Sequence, residues 1–241
     1  MTRAAAESRP GGGGDAPGTY WLLWFERSGA ASYVSHLDTV RALQRTFARA
    51  GVALALSGGF RPKARLSLPL PLPVGAAGLD ELAVAEVADG APPPARALGA
   101  LQAAAPPGIT PLRLQTCAMR PRPRALEARY AAEMRGDPGA LVAAATWFAA
   151  QEGVTVERVT PKGRRTLDLT RYVGDLAVQP VPGGAHVTFV VRHRHDGAAR
   201  PQEVIDLLAG RAGCASVAHH LTRVGVSYQG LPRDASSGGE E

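Results

Sequence analysis

Between Leu68 and Pro73 the chain alternates leucine with proline, and this run restricts the fold more than any other stretch. Proline has no amide donor, so the segment cannot be a central, fully paired strand. It suits an edge or a polyproline-like segment laid over a core. Pro62 imposes the same limit on the preceding residues. If Arg61 to Leu70 is extended, Arg61, Lys63 and Arg65 point one way and Leu66, Leu68 and Leu70 the other. A second barrier stands at Arg120-Pro121-Arg122-Pro123-Arg124, where alternate prolines make a stiff linker over 120–124.

Regular elements are expected on both sides of that linker. Trp21 to Phe25 reads as a buried strand. Ser35-x-x-Asp38 has capping-box spacing and starts a helix whose core stripe is Leu37, Val40, Leu43, Phe47 and Ala50, with Gly51 as its stop. Strands follow at Val52–Ser57 and Asp80–Val87, then a helix from Pro94 to about Ala105 and a strand over Ile109–Met119. Beyond the linker come a strand over Ala125–Met134 and a helix opened by Asp137-Pro138. Next are a strand over Val154–Val159, one strand or a broken pair over Thr166–Val178, and an alternating strand at Val187, Phe189 and Val191. A helix opened by Arg200-Pro201 and a strand over Val217–Gln229 end the series. The order β-α-β-β-α-β occurs twice, so the predicted class is α+β with two tandem ferredoxin-like halves, 19–119 and 125–230. Residues 1–18 read as a flexible leader and 231–241 as a disordered acidic tail.

Charge narrows the partners. The 241 residues carry a formal net charge of +6. The last eleven carry −2, which leaves +8 on the rest. A basic balance favours anionic partners such as nucleic acid. Among the 27 basic residues only Lys63 and Lys162 are lysine. No apolar run is long enough for a membrane span, and the N-terminal stretch has no apolar core of a secretory signal. Cys117 and Cys214 form no framework, a pattern that suits a reducing cytoplasm.

Several chemistries lack their residues. Two distant cysteines cannot hold the iron–sulfur cluster of a radical SAM enzyme, and no P-loop, GxGxxG or HExxH is present. His193 and His195 share a strand face but have no close acidic or cysteine partner, so no metal site and no cofactor are expected. His36 and Asp38 lie two apart on a helix and point about 200° from each other, so a catalytic triad with Ser35 is not formed. At the helix N-terminus His36 can instead help hold a phosphate.

Two signatures, Tyr33-Val34-Ser35-His36-Leu37-Asp38 and Gly59-Phe60-x-Pro62 leading to Pro69-Leu70-Pro71-Leu72-Pro73-Val74-Gly75, resemble the bacterial family of radical-SAM-linked proteins of unknown function. Lys162-Gly163-Arg164 to Asp168-Leu169 and Tyr172-Val173, then Arg200-Pro201-x-Glu203-Val204, extend the resemblance into the second half. The family loop commonly reads Asn, His, Pro where this chain has Arg61, Lys63 and Ala64. Lysine in place of the imidazole argues against catalysis there and keeps anion binding. The resemblance implies an accessory role beside a radical SAM protein, in RNA modification.

The resulting expectation is a cytoplasmic, non-catalytic RNA-binding accessory protein with a radical SAM partner. Its phosphate contacts would be His36, Arg41, Arg45, Arg61, Lys63, Arg65, Lys162, Arg164 and Arg165. Pro62-Lys63-x-Arg65 and Pro161-Lys162-x-Arg164 repeat one pattern at matching places, and a pseudo-two-fold would bring both to one groove. The alternatives are an adaptor docking an acidic protein, or an RNA-processing enzyme using His36 or His220 as general acid–base.

Overall fold

The computed structural model describes residues 19–160, 163–214 and 218–232. The leader, nearly all of the acidic tail and Lys162 lie outside the described residues. The chain is mixed α+β, with a large, mostly antiparallel sheet and, among the described residues, four α-helices.

In the first half, β1 (Thr19–Arg27) leads to α1 (His36–Arg49), the two-residue β2 (Leu66–Ser67), β3 (Ala77–Val87), α2 (Pro94–Ala104) and β4 (Ile109–Cys117). The second half holds β5 (Arg124–Arg135), α3 (Pro138–Ala149), β6 (Thr155–Thr160), β7 (Gly163–Asp168), β8 (Val173–Val181), β9 (Gly184–Arg192), α4 (Pro201–Ala212) and β10 (Ala218–Gln229). The main sheet runs β4-β1-β3-β10-β5-β9-β8, with β2 also on β3, while β6 and β7 form a separate hairpin.

β1 is apolar on both faces because both are covered. Trp21, Leu23 and Phe25 pack with Leu43, Phe47 and Leu101 beneath α1 and α2. Leu22 and Trp24 join Leu82 and Val84 on the opposite face. The Arg113 guanidinium lies over the Trp24 ring at 4.4 Å and pairs with Asp80 at 2.7 Å, closing that face.

The Ser35 cap forms, its Oγ accepting from the Asp38 amide at 3.1 Å. The Asp38 carboxylate accepts from the Ser35 hydroxyl at 2.7 Å, where a longer Glu would reach back to the backbone. The apolar stripe is shifted from the expected one. Leu37 is 63% exposed, and the buried residues of α1 are Thr39, Leu43, Thr46 and Phe47. The threonines can face inward because their hydroxyls donate to the carbonyls of Ser35 and Ala42, and Thr39 Oγ1 accepts from Arg27 at 3.0 Å. Val52–Ser57 also differs from expectation, making isolated bridges at Leu54 and Leu56 in place of a strand. The stretch Thr166–Val178 is a broken pair, interrupted by the 3-10 turn Leu169–Arg171. His193 and His195 lie beyond the end of β9 and share no strand face.

The halves meet where β3 and β10 pair in parallel at Ala77–Thr222 and Gly78–Arg223. Here the Leu-Pro run crosses the sheet as a strap. Its prolines lack the amide donors of a ladder strand, and two buried arginines take up its carbonyls. Arg223 donates to the carbonyls of Leu70 at 2.8 Å and Pro71 at 3.3 Å while pairing with buried Glu81. Arg27 donates to those of Pro73 at 2.9 Å and Ala76 at 3.1 Å. Leu72 then plugs into the second-half core with Tyr130 and Leu221. Gly75, at φ +87, completes the bend and donates its amide to the Ser32 carbonyl at 2.8 Å, bringing the end of the strap against the start of α1. A Cβ at Gly78 would overlap the Glu81 side chain, so glycine there makes room for the ion pair.

Candidate functional site

A strongly cationic cleft on the described surface is built from backbone that the strap leaves free. Residues 52–57 and 63–67 fold back on one another as a ribbon. Ser57 donates its amide to the Lys63 carbonyl at 2.8 Å, the Lys63 amide donates to Ser57 Oγ at 3.0 Å, and the Arg65 amide donates to the Ala55 carbonyl at 2.8 Å. The ribbon is stitched to the edge of β3 by bonds from Ala55 to Glu86 and from Glu86 to Arg65, at 2.8 and 2.9 Å. Val84 and Glu86 alternate with Ala83 and Ala85, which lie in the core under the helices, so this edge of the cleft opens on the helix-free face.

Across from the ribbon runs the linker between β4 and β5. Together they bound a cleft of about 690 Å³ whose floor includes Tyr20, Leu66 and Val84 and whose walls include Pro69, Pro121 and Pro123. Lys63, Arg65, Arg120 and Arg122 line it, and among the described residues that line it Glu86 is the carboxylate. Glu86 accepts from Arg65 at 2.9 Å, and that bond raises the Arg65 pKa. The stiff Arg-Pro alternation thus aims alternate guanidiniums, and Arg120 and Arg122 are site residues that the sequence presented only as linker.

The other expected contacts lie elsewhere. Arg41 pairs with Asp38 at 3.0 Å on α1; hydrogen bonds from Ser35 and Arg41 hold the Asp38 pKa down, and Arg45 adds to the effect. His36 opens α1 with its Nδ1 enclosed and unpartnered. Arg61 is exposed on the loop at the ribbon's tip. Arg164 pairs with Glu157 at 2.9 Å, and Arg165 donates to the Asp196 carbonyl at 3.5 Å, both on the β6–β7 hairpin. The cleft that holds Lys63 and Arg65 includes neither. Since β3 and β10 run parallel, the two halves repeat along the sheet in the same direction, and the topology supplies no two-fold to set Arg164 beside Lys63 and Arg65.

A second cleft of about 770 Å³ at the far end of the sheet is lined by His186, His220 and Glu133, among others. His220 sits at φ +58, a region uncommon for residues other than glycine, and Glu133 is in register with His186 across β5 and β9. His193 is pushed to a lower pKa by burial and by Arg223. Cys117 and Cys214 are free thiols, and burial raises the pKa of Cys117. Among the described residues no group of three or more His, Cys, Asp or Glu can hold a metal ion, and no helix is long and apolar enough to cross a membrane.

Fold and cleft define an α+β protein with a basic recess on the open side of its sheet. Residues 21–201 match the family described as "Uncharacterized protein conserved in bacteria (DUF2344)", and the chain belongs to that family. Among solved structures it is similar to the crystal structure of an unknown protein from Galdieria sulphuraria, at 12% identity over 90% of this chain and 100% of that one, with a TM-score of 0.26. Comparison with curated proteins gives no match.

Proposed function

We propose that the protein is a non-catalytic RNA-binding accessory protein of the cytoplasm. The observation that carries this reading is the convergence of Lys63, Arg65, Arg120 and Arg122 on one open cleft, where Glu86 is the carboxylate among the described lining residues. Such a recess suits a phosphodiester backbone, whose contacts position an RNA without reading its sequence. Exposed Arg61 extends the same surface. Arg41, Arg45, Arg164 and Arg165 add charge at a distance and would contribute through the overall field.

The fold reading is that each half is a ferredoxin-like unit. Their strand orders support it, β4-β1-β3 with β2 on β3 in one half and β10-β5-β9-β8 in the other, each running fourth, first, third, second. A radical SAM protein as partner rests on the resemblance of the two signatures. A tagged pull-down under anaerobic conditions tests it, and repeated absence of an iron–sulfur protein would remove it.

A second reading, an RNA-processing enzyme, draws on the strained His220 beside His186 and Glu133. RNA cleavage by the purified protein that His220→Ala abolishes would establish it over the first. The main test of binding is charge reversal. Lys63→Glu, Arg65→Glu, Arg120→Glu and Arg122→Glu together should remove most RNA affinity. The salt dependence should also flatten, by about 0.7 in log–log slope for every phosphate of a single strand that is no longer neutralised. A drop in affinity no greater than from reversing Arg41 and Arg45 would reduce the interaction to diffuse attraction.

A further inference from the structure

Phe60 is fully exposed, the most exposed large hydrophobic side chain described. It stands on the 58–62 loop at the tip of the ribbon that lines the basic cleft, three residues from Lys63. That separation keeps its backbone within about 11 Å of that of Lys63. A buried phenylalanine typically gains stability by leaving water, and this one forgoes all of it. Its loop neighbours are Gly58, Gly59, Arg61 and Pro62, none of which covers its ring. Leu56, the nearest other exposed apolar side chain along the ribbon, belongs to a separate cleft against Gln44 and Ala48 of α1.

We propose that Phe60 is a base-stacking residue and that the site is specific for unpaired RNA, one base resting on the Phe60 ring while the adjoining phosphates enter the cleft beside Lys63 and Arg120. The inference rests on the RNA-binding reading and adds the class of RNA. An aromatic ring at the tip of a loop can cover a base only where that base has a free face, which a continuous duplex does not offer. The cationic surroundings favour RNA over a protein partner. An aromatic anchor in a protein interface is ringed by residues that exclude water, whereas Arg61, Lys63 and Arg120 are themselves exposed and make no ion pair among the described residues. The stacking group is on the loop, while the sheet tryptophans Trp21 and Trp24 remain core.

The test uses the full chain, a fluorescein-labelled short single-stranded RNA of mixed sequence, and the same sequence as a blunt duplex, read by anisotropy across salt concentrations. Wild type should prefer the single strand. Phe60→Ala should lose about 5- to 150-fold in affinity for it, the range for one base stack, with duplex binding and the salt slope unchanged. Phe60→Trp should keep single-strand affinity. Lys63→Glu with Arg120→Glu should instead weaken both forms and lower the slope. Since Phe60 touches no core, Phe60→Ala should melt as wild type does, so its weaker binding cannot be misfolding. Tight single-strand binding unchanged by Phe60→Ala overturns the stacking role but leaves the RNA-binding reading standing. No binding of either RNA by wild type overturns both. Unchanged RNA affinity with loss of a co-purifying protein in Phe60→Ala would assign the ring to a protein interface, and the inference would fall.

Discussion

The two halves share a strand order and differ in the fate of the second strand. In the second half that strand is β8, nine residues long and paired with β9 over nearly its whole length. In the first half it is β2, two residues long. The cause lies in how the halves join. The free edge of β3 is divided, Ala77 and Gly78 pairing with β10 and Val84 and Ala85 with β2. Fusing the sheets therefore displaces most of one strand and releases the chain from Val52 to Gly75. That released chain builds the ribbon, the Phe60 loop, one side of the cleft and the strap. Corresponding freedom in the second half goes into the β6–β7 hairpin, which is anchored to α4 by Arg158 and Glu203 at 2.7 Å. The helix-free faces diverge accordingly. In the first half that face is sealed by Leu22, Trp24, Leu82 and Val84, with the cleft beside them, whereas β5 presents exposed Glu127, Arg129 and Glu133 there.

If the junction makes this difference, damage to it should exceed damage to either half's ends. Arg223→Met leaves Glu81 charged and buried and strips the Leu70 and Pro71 carbonyls of their arginine donor. It should cost about 3–5 kcal/mol in urea unfolding, and replacing both Glu81 and Arg223 by leucine should recover part of that. A cost under about 1 kcal/mol would mean that the strap, not the ion pair, joins the halves.

The hairpin anchor should show itself in acid. Burial alone would raise the Glu203 pKa, but hydrogen bonds from Arg158 and from the Arg200 amide bring it below its ordinary value. Its contribution is then complete above the unfolded pKa of about 4.3 and is lost as pH falls through the lower folded value. Wild type should lose melting temperature over that window more steeply than Glu203→Gln. Parallel curves would show that the anchor is not electrostatic. The smallest effect belongs to the α1 cap, where Ser35→Ala should cost about 1 kcal/mol, measured by thermal melting, and leave the cleft untouched.

Much of this organisation was legible in the sequence. The aromatic-rich apolar run placed β1, and the Ser35 and Asp137 caps placed α1 and α3 closely, because these signals are local. The prolines correctly kept the Leu-Pro run out of the ladder. What covers that run was not legible, since Arg223 lies more than 150 residues from Leu70 and nothing in a guanidinium's neighbours announces burial. The inward threonines of α1 defeated a purely apolar stripe for a related reason, as their hydroxyls are satisfied by the helix itself. Of the site, Lys63 and Arg65 were visible as cations on one face of an extended run. Arg120 and Arg122 were hidden in a segment whose composition reads as linker, and only the folded chain sets it opposite the ribbon.

The central claim is that RNA occupies the cleft between ribbon and linker. Ultraviolet crosslinking of single-stranded RNA to the full-length protein, followed by peptide mapping, tests it most directly. The account predicts that crosslinked peptides concentrate in residues 57–67 and 118–124, with Phe60 among the modified positions. Crosslinks spread evenly over Arg41, Arg45, Arg164 and Arg165, or gathered at His186 and His220, would contradict it.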